Sequence, residues 1–279
     1  MLAATLAFQK KYQSKAGTSV KAILVYTIVS GAFSAALFFV INGFAIRATW
    51  FSVAMAGAFS VVLTICAFIG FRIMEMSNVS IYTLFLLSGG MMVPYIYGVL
   101  FLNEELSFVK TVGLLLIIGA IIIANLNKGK FDSKMLFLCI SVFMLNGAAS
   151  VISKVHEISF ASKMVSSSDF VFLVMVSKVF ISLLALFFNK SEKNVHCASL
   201  PLKSTIFIIF LAAVTDATSY MLQLMGAIDI PATMLYPLVN GGAIILSALV
   251  DFVVYKDKLP LRQWISVGIA FLGTLHMLS

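Results

Sequence analysis

Two charged residues lie within long apolar stretches of the sequence, where a helix in lipid would not normally carry them. Lys178 stands in the stretch FLVMVSKVFISLL, and Asp216 stands in AAVTDATSYMLQ. A charge at bilayer depth is costly unless it is paired or hydrated. We therefore expect the two side chains either to pair and lock two helices together, or to line a polar cavity and contact a substrate or a coupling proton. A lysine that reaches the membrane surface is the third alternative.

Polar residues recur at helical spacing along three apolar stretches in the second half of the chain. Residues four or seven apart share one face of a helix. Helix faces that contact lipid rarely carry polar residues, because unsatisfied polar groups in hydrocarbon are costly. The three faces consist of Asp216, Tyr220 and Gln223; of Tyr236, Asn240, Ser247 and Asp251; and of Asn146, Ser150 and Ser153. They predict one shared polar lumen, with hydrogen bonds between packed helices as the alternative. The first half offers mainly hydroxyl groups, among them the candidate Ser88.

Composition places the chain in lipid and excludes several classes of function. Of its 279 residues, 61% are hydrophobic and 11% are charged, and the mean hydropathy is +1.08. The net charge of +8 indicates loop cations that face anionic lipid, and not a nucleic-acid partner. The cysteines and histidines are scattered without metal-ligand spacing, and no nucleophile has a base at a recognisable interval. We expect neither an enzyme nor a bound cofactor or metal.

Apolar runs of spanning length follow one another along the chain and predict an all-α membrane protein. They lie near 22–45, 50–74, 79–103, 108–126, 134–153, 169–188, 205–226, 232–255 and 261–279, after a run at 1–9 that is too short to cross alone. We expect a ten-helix bundle whose helix 1 is truncated, with a genuine half-helix as the alternative. The linker Asn125–Lys134 divides the bundle into five-helix repeats at 1–127 and 131–279. Because each repeat has an odd number of spans, the two repeats are inverted.

Two similar segments form the centres of the predicted repeats, and both end in an acidic exit. Each segment has a pair of glycines and a proline. The first segment, Ser77–Glu105, contains Gly89-Gly90 and Pro94, and the second, Asp229–Asp257, contains Gly241-Gly242 and Pro237. The glycine pairs allow close approach of helix backbones. Each proline leaves the carbonyl four residues earlier without its helical donor. We expect a hinge, free carbonyls in the lumen, or a static kink at these positions.

The placement of lysine and arginine predicts the orientation of the chain in the membrane. Most loop cations fall in the connections between spans 1–2, 3–4, 5–6, 7–8 and 9–10, which assigns these connections to the cytoplasm. The opposite set holds Arg47, Lys110, Lys154 and Lys163. The C-terminus is accordingly expected outside the cytoplasm, and the location is the cell (inner or plasma) membrane.

The order of these features resembles the EamA-type drug/metabolite transporter family. The exits NEELSFVKTVG, from Asn103 to Gly113, and KDKLPLRQW, from Lys256 to Trp264, follow its pattern of an acid, a leucine, a small residue or proline, and then the last helix of a repeat. The resemblance covers essentially the whole chain and implies a secondary transporter with a central cavity. It carries over no site residue, because the family shares no universal catalytic residue. The short helix 1 departs from the family's pattern.

These expectations combine into one functional hypothesis, which is alternating-access transport of a small metabolite, amino acid or amphiphilic compound by export or exchange. Substrate contacts are expected from Asn146, Lys178, Asp216, Tyr220, Gln223, Tyr236, Asn240 and Ser88. Asp216 would contact a cation or carry a coupling proton, with Lys178 as its partner or as an anion contact. An uncoupled facilitator, or a membrane subunit or receptor that transports nothing, is the alternative. The expected partners are the lipid bilayer and the substrate, and a homodimer is left open.

Overall fold

A computed structural model describes residues 1–17, 19–76, 79–105, 107–125, 133–188, 202–253 and 261–278, and these residues are almost entirely helical. Its helices are α1 Leu2–Ala16, α2 Val20–Ile41, α3 Trp50–Met76, α4 Val79–Phe101, α5 Phe108–Asn125, α6 Ser133–Ile158, α7 Ser167–Phe188, α8 Leu202–Asp229, α9 Ala232–Val253 and α10 Leu261–Leu278. A single 3-10 turn, Phe160–Ser162, precedes α7 in this part of the chain. Most of the predicted linker, the start of the second acidic exit, and the side chains of Ser247 and Asp251 lie outside the described residues.

The helix boundaries confirm the all-α prediction and follow the predicted runs closely, with two differences at helix ends. Helix α6 continues to Ile158, beyond the run that was expected to end at 153, so Lys154 and His156 are helical. Helix α1 has 15 residues and includes Lys10 and Lys11, which were expected in a loop. At 1.5 Å per residue α1 is roughly 22 Å long, shorter than a hydrocarbon core of about 30 Å.

Five helices are long and apolar enough over their described residues to cross a membrane, by length and composition. These are α2, α3, α6, α7 and α8. Shorter apolar stretches lie in α4, α5 and α10. Large apolar side chains are openly exposed along the spans, including Trp50 at 90%, Phe137 at 70% and Phe187 at 75% of their surface. Such surfaces belong in lipid, and the helices are those of a multi-pass membrane protein. The remaining spans stay predictions.

The described chain divides into two compact units, and each unit contains helices from both predicted repeats. The first unit comprises residues 1–71 and 155–225, and the second comprises residues 72–154 and 226–279. The divisions fall inside α3, α6 and α8.

The first unit is held together by hydroxyl groups that bond to the backbone of neighbouring helices. Ser34 in α2 donates to the carbonyl of Ala213 in α8 at 3.1 Å. Ser60 in α3 donates to the carbonyl of Val174 in α7 at 3.0 Å. Helices α2 and α7 also pack directly, because Gly31 lets the Val179 side chain approach the α2 backbone. These bonds satisfy polar groups internally, as a membrane interior requires.

In the second unit, glycines let α4 pack closely against its neighbours. A methyl group added at Gly89 would collide with the backbone carbonyl of Phe143 in α6. One added at Gly90 would lie 2.5 Å from the Asn146 amide nitrogen, and one at Gly241 would lie 2.6 Å from the Thr274 hydroxyl of α10. The predicted close approach of helix backbones is confirmed at Gly89, whereas at Gly90 and Gly241 the approaching atoms belong to side chains. At Gly242, no atom of the described residues lies within 4 Å of an added methyl group.

Candidate functional site

Lys178 and Asp216 face each other in the first unit, as their charges predicted. The Lys178 Nζ lies 3.7 Å from the Asp216 Oδ2, and the side chains keep 19% and 37% of their surface exposed. The distance allows the opposite charges to attract without a direct hydrogen bond between these atoms. Partial exposure leaves both groups open to an additional partner. The pair is therefore a charged, accessible position between two apolar helices.

Two tyrosines lie near Asp216 of this ion pair, and each packs against a further aromatic ring. Tyr220 lies one helical turn after Asp216 on the same face of α8, and its ring stacks on Phe59 of α3 with centroids 5.0 Å apart. Tyr26 of α2 lies within Coulombic range of Asp216, and its ring packs against Tyr12 of α1 with centroids 4.9 Å apart. Aromatic rings provide flat apolar surfaces and, on their faces, weak attraction for cations. The arrangement offers both charge and apolar contact.

Gln223 is the fourth predicted site residue in the first unit. It is half-buried on α8, seven residues after Asp216. Residues seven apart lie on the same side of a helix, so the polar face predicted for α8 is present in the described structure.

The other four predicted residues belong to the second unit and pack between helices. Asn146 in α6 donates to the Leu86 carbonyl of α4 at 2.7 Å. Tyr236 in α9 is completely buried and donates to the Ser150 carbonyl of α6 at 2.7 Å. Ser88 is buried in α4. These contacts are the interhelical hydrogen bonds that formed the alternative to a polar lumen, and the lumen itself stays a prediction.

Asn240 bonds to the backbone carbonyl that Pro94 was predicted to leave without a helical donor. Pro94 has no N–H to donate to the Gly90 carbonyl, one turn earlier in α4. The Asn240 amide donates to that carbonyl at 3.0 Å, and also to the Tyr236 carbonyl at 3.1 Å. The side chain is 5% exposed. Asn240 thus replaces the helical donor that Pro94 cannot supply, and the freed carbonyl points into the contact between α4 and α9.

Sequence reasoning missed a charged clamp around the turn between α8 and α9. The assignment of Lys154 to an outer loop is wrong: its ammonium is buried at the end of α6 and donates to the carbonyls of Ala227 and Ile230 at 2.7 and 2.8 Å. Glu104, just after α4, accepts from the backbone N–H groups of Ala232 and Thr233 at 2.7 and 2.8 Å. Lysine complements a helix C-terminus and glutamate complements a helix N-terminus. Only the acidic exit gave a sequence signal, because a lysine bonded to carbonyls has no spacing pattern.

Replacing Glu104 with alanine is expected to destabilise the second unit. The change leaves two backbone N–H groups without acceptors and removes an opposite charge that acts on Lys154. Loss of hydrogen bonds to a charged group costs about 1.5–3 kcal/mol. Thermal unfolding of the purified protein measures the effect. Glu105→Ala is the matched control, because Glu105 is the adjacent acid and is exposed. Equal melting temperatures for the two variants would contradict the capping role.

Comparison with known proteins shows the fold and leaves the function open. No family model and no curated protein match the chain. One solved protein crystal structure is similar over 99% of this chain and 93% of its own, with a TM-score of 0.71 and 14% sequence identity. At this identity the likeness extends to the fold alone. Membership of the EamA-type family stays a hypothesis.

Proposed function

We propose that this protein is a secondary transporter of the EamA-type drug/metabolite kind, which moves a small charged compound by alternating access. The observation that carries the proposal is the ion pair of Lys178 and Asp216, which is partly exposed within two apolar helices. A charged residue in a membrane helix normally faces a protein interior or a watery cavity. A pair that served only to hold α7 against α8 would gain more from direct hydrogen bonds, which these atoms at 3.7 Å do not make.

The predicted inverted repeats draw support from the packing of helices five positions apart in the chain. In the first unit α2 packs on α7, and Phe59 of α3 stacks on Tyr220 of α8. In the second unit α4 packs on α9 and α5 packs on α10. When two repeats are related by a two-fold axis, a helix close to that axis packs against the equivalent helix of the other repeat. Inverted repeats of this kind are a common basis of alternating access.

The charges and rings around Asp216 favour a substrate that carries both an ammonium and a carboxylate group. Asp216 would contact the ammonium group, and Lys178 would contact the carboxylate group. Tyr220 and Tyr26 would pack against the apolar part of such a compound, since both tyrosines lie near the pair. Of a small metabolite, an amino acid and an amphiphilic compound, the amino acid fits this arrangement best. Asp216 is also the group that would carry a coupling proton, which would weaken its hold on both Lys178 and the substrate.

Under this proposal the protein resides in the cell membrane with its C-terminus outside the cytoplasm. Lys154 no longer counts as an outer loop cation, because it is buried against the α8–α9 turn. Its removal from the outer set increases the excess of cations on the cytoplasmic side, in keeping with the positive-inside rule.

A binding and transport experiment tests the proposal on the purified full-length protein. A panel of amino acids, with tetraethylammonium and benzoate as single-charge probes, is screened for an increase in melting temperature. We expect an amino acid to stabilise the protein more than either single-charge probe. Counterflow of that amino acid is then measured in proteoliposomes with and without an imposed pH gradient. Accumulation driven by the gradient supports coupled transport, flux without accumulation indicates a facilitator, and the absence of both stabilisation and flux would overturn the proposal.

A further inference from the structure

A buried histidine in the first unit lies at the centre of a chain of hydrogen bonds outside the proposed substrate site. His156, near the end of α6, is 1% exposed. Its Nδ1 lies 3.1 Å from Oε1 of Glu157, and its Nε2 lies 2.9 Å from the hydroxyl of Ser52 at the start of α3. The Ser52 hydroxyl is in turn 2.9 Å from that of Thr49, which lies 3.4 Å from the Ala161 carbonyl in the α6–α7 connection.

The surroundings of His156 are apolar except for the hydrogen-bonded hydroxyls of Ser52 and Thr49 and one carboxylate. The imidazole stacks on Phe170 of α7 with centroids 3.5 Å apart, and Phe51 of α3 covers it from further away. Among the described contacts, Glu157 is the charged group that faces the ring, and its other oxygen accepts from Ser167 at the start of α7.

The other charged side chains of the neighbouring elements engage different partners. Asp169 in α7 accepts from the backbone N–H and the hydroxyl of Ser166. Lys163 of the connecting segment lies over the Phe160 ring. The two ring nitrogens of His156 therefore contact Glu157 and the Ser52 hydroxyl.

Serine, histidine and glutamate in this order also form the connectivity of a hydrolytic triad. Ser52 has no exposed surface, and its backbone N–H and hydroxyl both engage Thr49 at the start of α3. A nucleophile must reach its substrate. The arrangement is therefore suited to holding a proton rather than to attacking a substrate.

The hydrogens of this hydrogen-bonded series can be placed in two ways. The two arrangements reverse the direction of two hydrogen bonds and differ in whether a third is made. An ionised Glu157 only accepts, so Nδ1 of His156 carries a hydrogen in both states. In the neutral imidazole, Nε2 accepts from Ser52, and Ser52 accepts from Thr49, whose single hydroxyl hydrogen is then used. In the imidazolium, Nε2–H donates to Ser52, Ser52 donates to Thr49, and Thr49 donates to the Ala161 carbonyl. The bond between Thr49 and Ala161 thus exists only in the protonated state.

We propose that His156 is a proton-binding site, and that its protonation ties the α6–α7 connection to the start of α3 through Ser52 and Thr49. Protonation lets Thr49 donate to the Ala161 carbonyl and places a positively charged ring beside Glu157. Histidine is the side chain that ordinarily changes charge near neutral pH. The site stands apart from Lys178 and Asp216, and it does not depend on the proposed transport activity.

Histidine NMR on the intact wild-type protein tests the first half of the proposal. The protein is labelled with ¹⁵N-histidine, and His156 is assigned by elimination from the variants His196→Gln and His276→Gln, so the buried ring itself is never changed. We expect the His156 signals to change from those of a neutral ring with hydrogen on Nδ1 to those of an imidazolium as the pH falls over the range in which the protein stays folded. A ring that keeps one protonation state over that range, or that carries its hydrogen on Nε2 when neutral, would overturn the proposal.

Hydrogen exchange tests the second half. At low pH, Thr49→Val is expected to speed amide exchange in residues 159–166 relative to wild type, by roughly 2- to 10-fold for one lost hydrogen bond. At high pH the two proteins should exchange alike, because the bond is then absent in both. Thr49→Ser keeps the hydroxyl group and should behave as wild type. A Thr49→Val effect of equal size at both pH values would show a structural role alone and would contradict the switch.

Discussion

Asp216→Asn is expected to reduce substrate binding and transport strongly while leaving the protein folded. Loss of one charge-assisted contact costs about 1.5–3 kcal/mol, which corresponds to roughly 10- to 150-fold in affinity. The cost in stability should be small, since partly exposed ion pairs contribute about 0–1 kcal/mol and these side chains remain 19% and 37% exposed. Transport in proteoliposomes and thermal unfolding of the same preparation measure the two effects.

Two companion variants separate a substrate contact from a structural pair. Lys178→Met should also impair transport, and the double variant Lys178→Met with Asp216→Asn should unfold at the wild-type temperature yet remain inactive. A pair that merely locks α7 to α8 gives the opposite result, because the double variant would then regain activity. Glu105→Gln, which removes an exposed carboxylate elsewhere, controls for net charge. Wild-type transport and unchanged pH dependence in Asp216→Asn would refute the assignment.

Gly89→Ala is expected to give the largest loss of stability among glycine-to-alanine changes at the described glycines. The new methyl group would collide with the Phe143 carbonyl, and a backbone atom cannot rotate away as a side chain can. Helices α4 and α6 would have to separate, and Gly147 of α6, whose own added methyl would lie 2.8 Å from the Gly89 carbonyl, shows that the crossing is tight from both sides. Overpacking of this kind costs about 1–3 kcal/mol or more.

Gly242→Ala is the matched control, because it adds the same methyl group to the other glycine pair, at a position where no atom of the described residues lies within 4 Å. Alanine favours a helix over glycine by up to about 1 kcal/mol, so this variant should unfold at or slightly above the wild-type temperature. Thermal unfolding of both variants in one detergent provides the comparison. Similar melting temperatures would mean that α4 and α6 are not in close contact at Gly89.

The helices and the ion pair were predictable from the sequence because each depends on a strong local signal. Runs of apolar residues long enough to cross a membrane define the helices almost to their ends. Lys178 and Asp216 stood out because charges are rare in such runs, and the structure places them 3.7 Å apart. Two opposite charges in otherwise apolar helices have few other groups with which to pair. Their pairing could therefore be inferred without knowing how the helices pack.

The roles of the remaining polar residues could not be read in the same way. An asparagine on a helix face gives the same pattern whether it lines a lumen or bonds to a neighbouring backbone. Asn146 and Asn240 bond to carbonyls of α4, and backbone carbonyls are identical at every position of a sequence. Lys154 was misplaced for the same reason, since both of its acceptors are carbonyls. The partners became visible only with the helix packing.

The dependence of Pro94 on Asn240 links two sites that lie far apart along the chain. A proline at 94 is tolerable because α9 supplies the missing donor. The Asn240 amide, in turn, has an acceptor in α4 because the proline leaves the Gly90 carbonyl free. A drift from proline to alanine at 94 would restore the native donor and release residue 240 to become apolar. Loss of the asparagine first would leave the Gly90 carbonyl without a donor in a buried contact, so loss of the proline should precede loss of the asparagine.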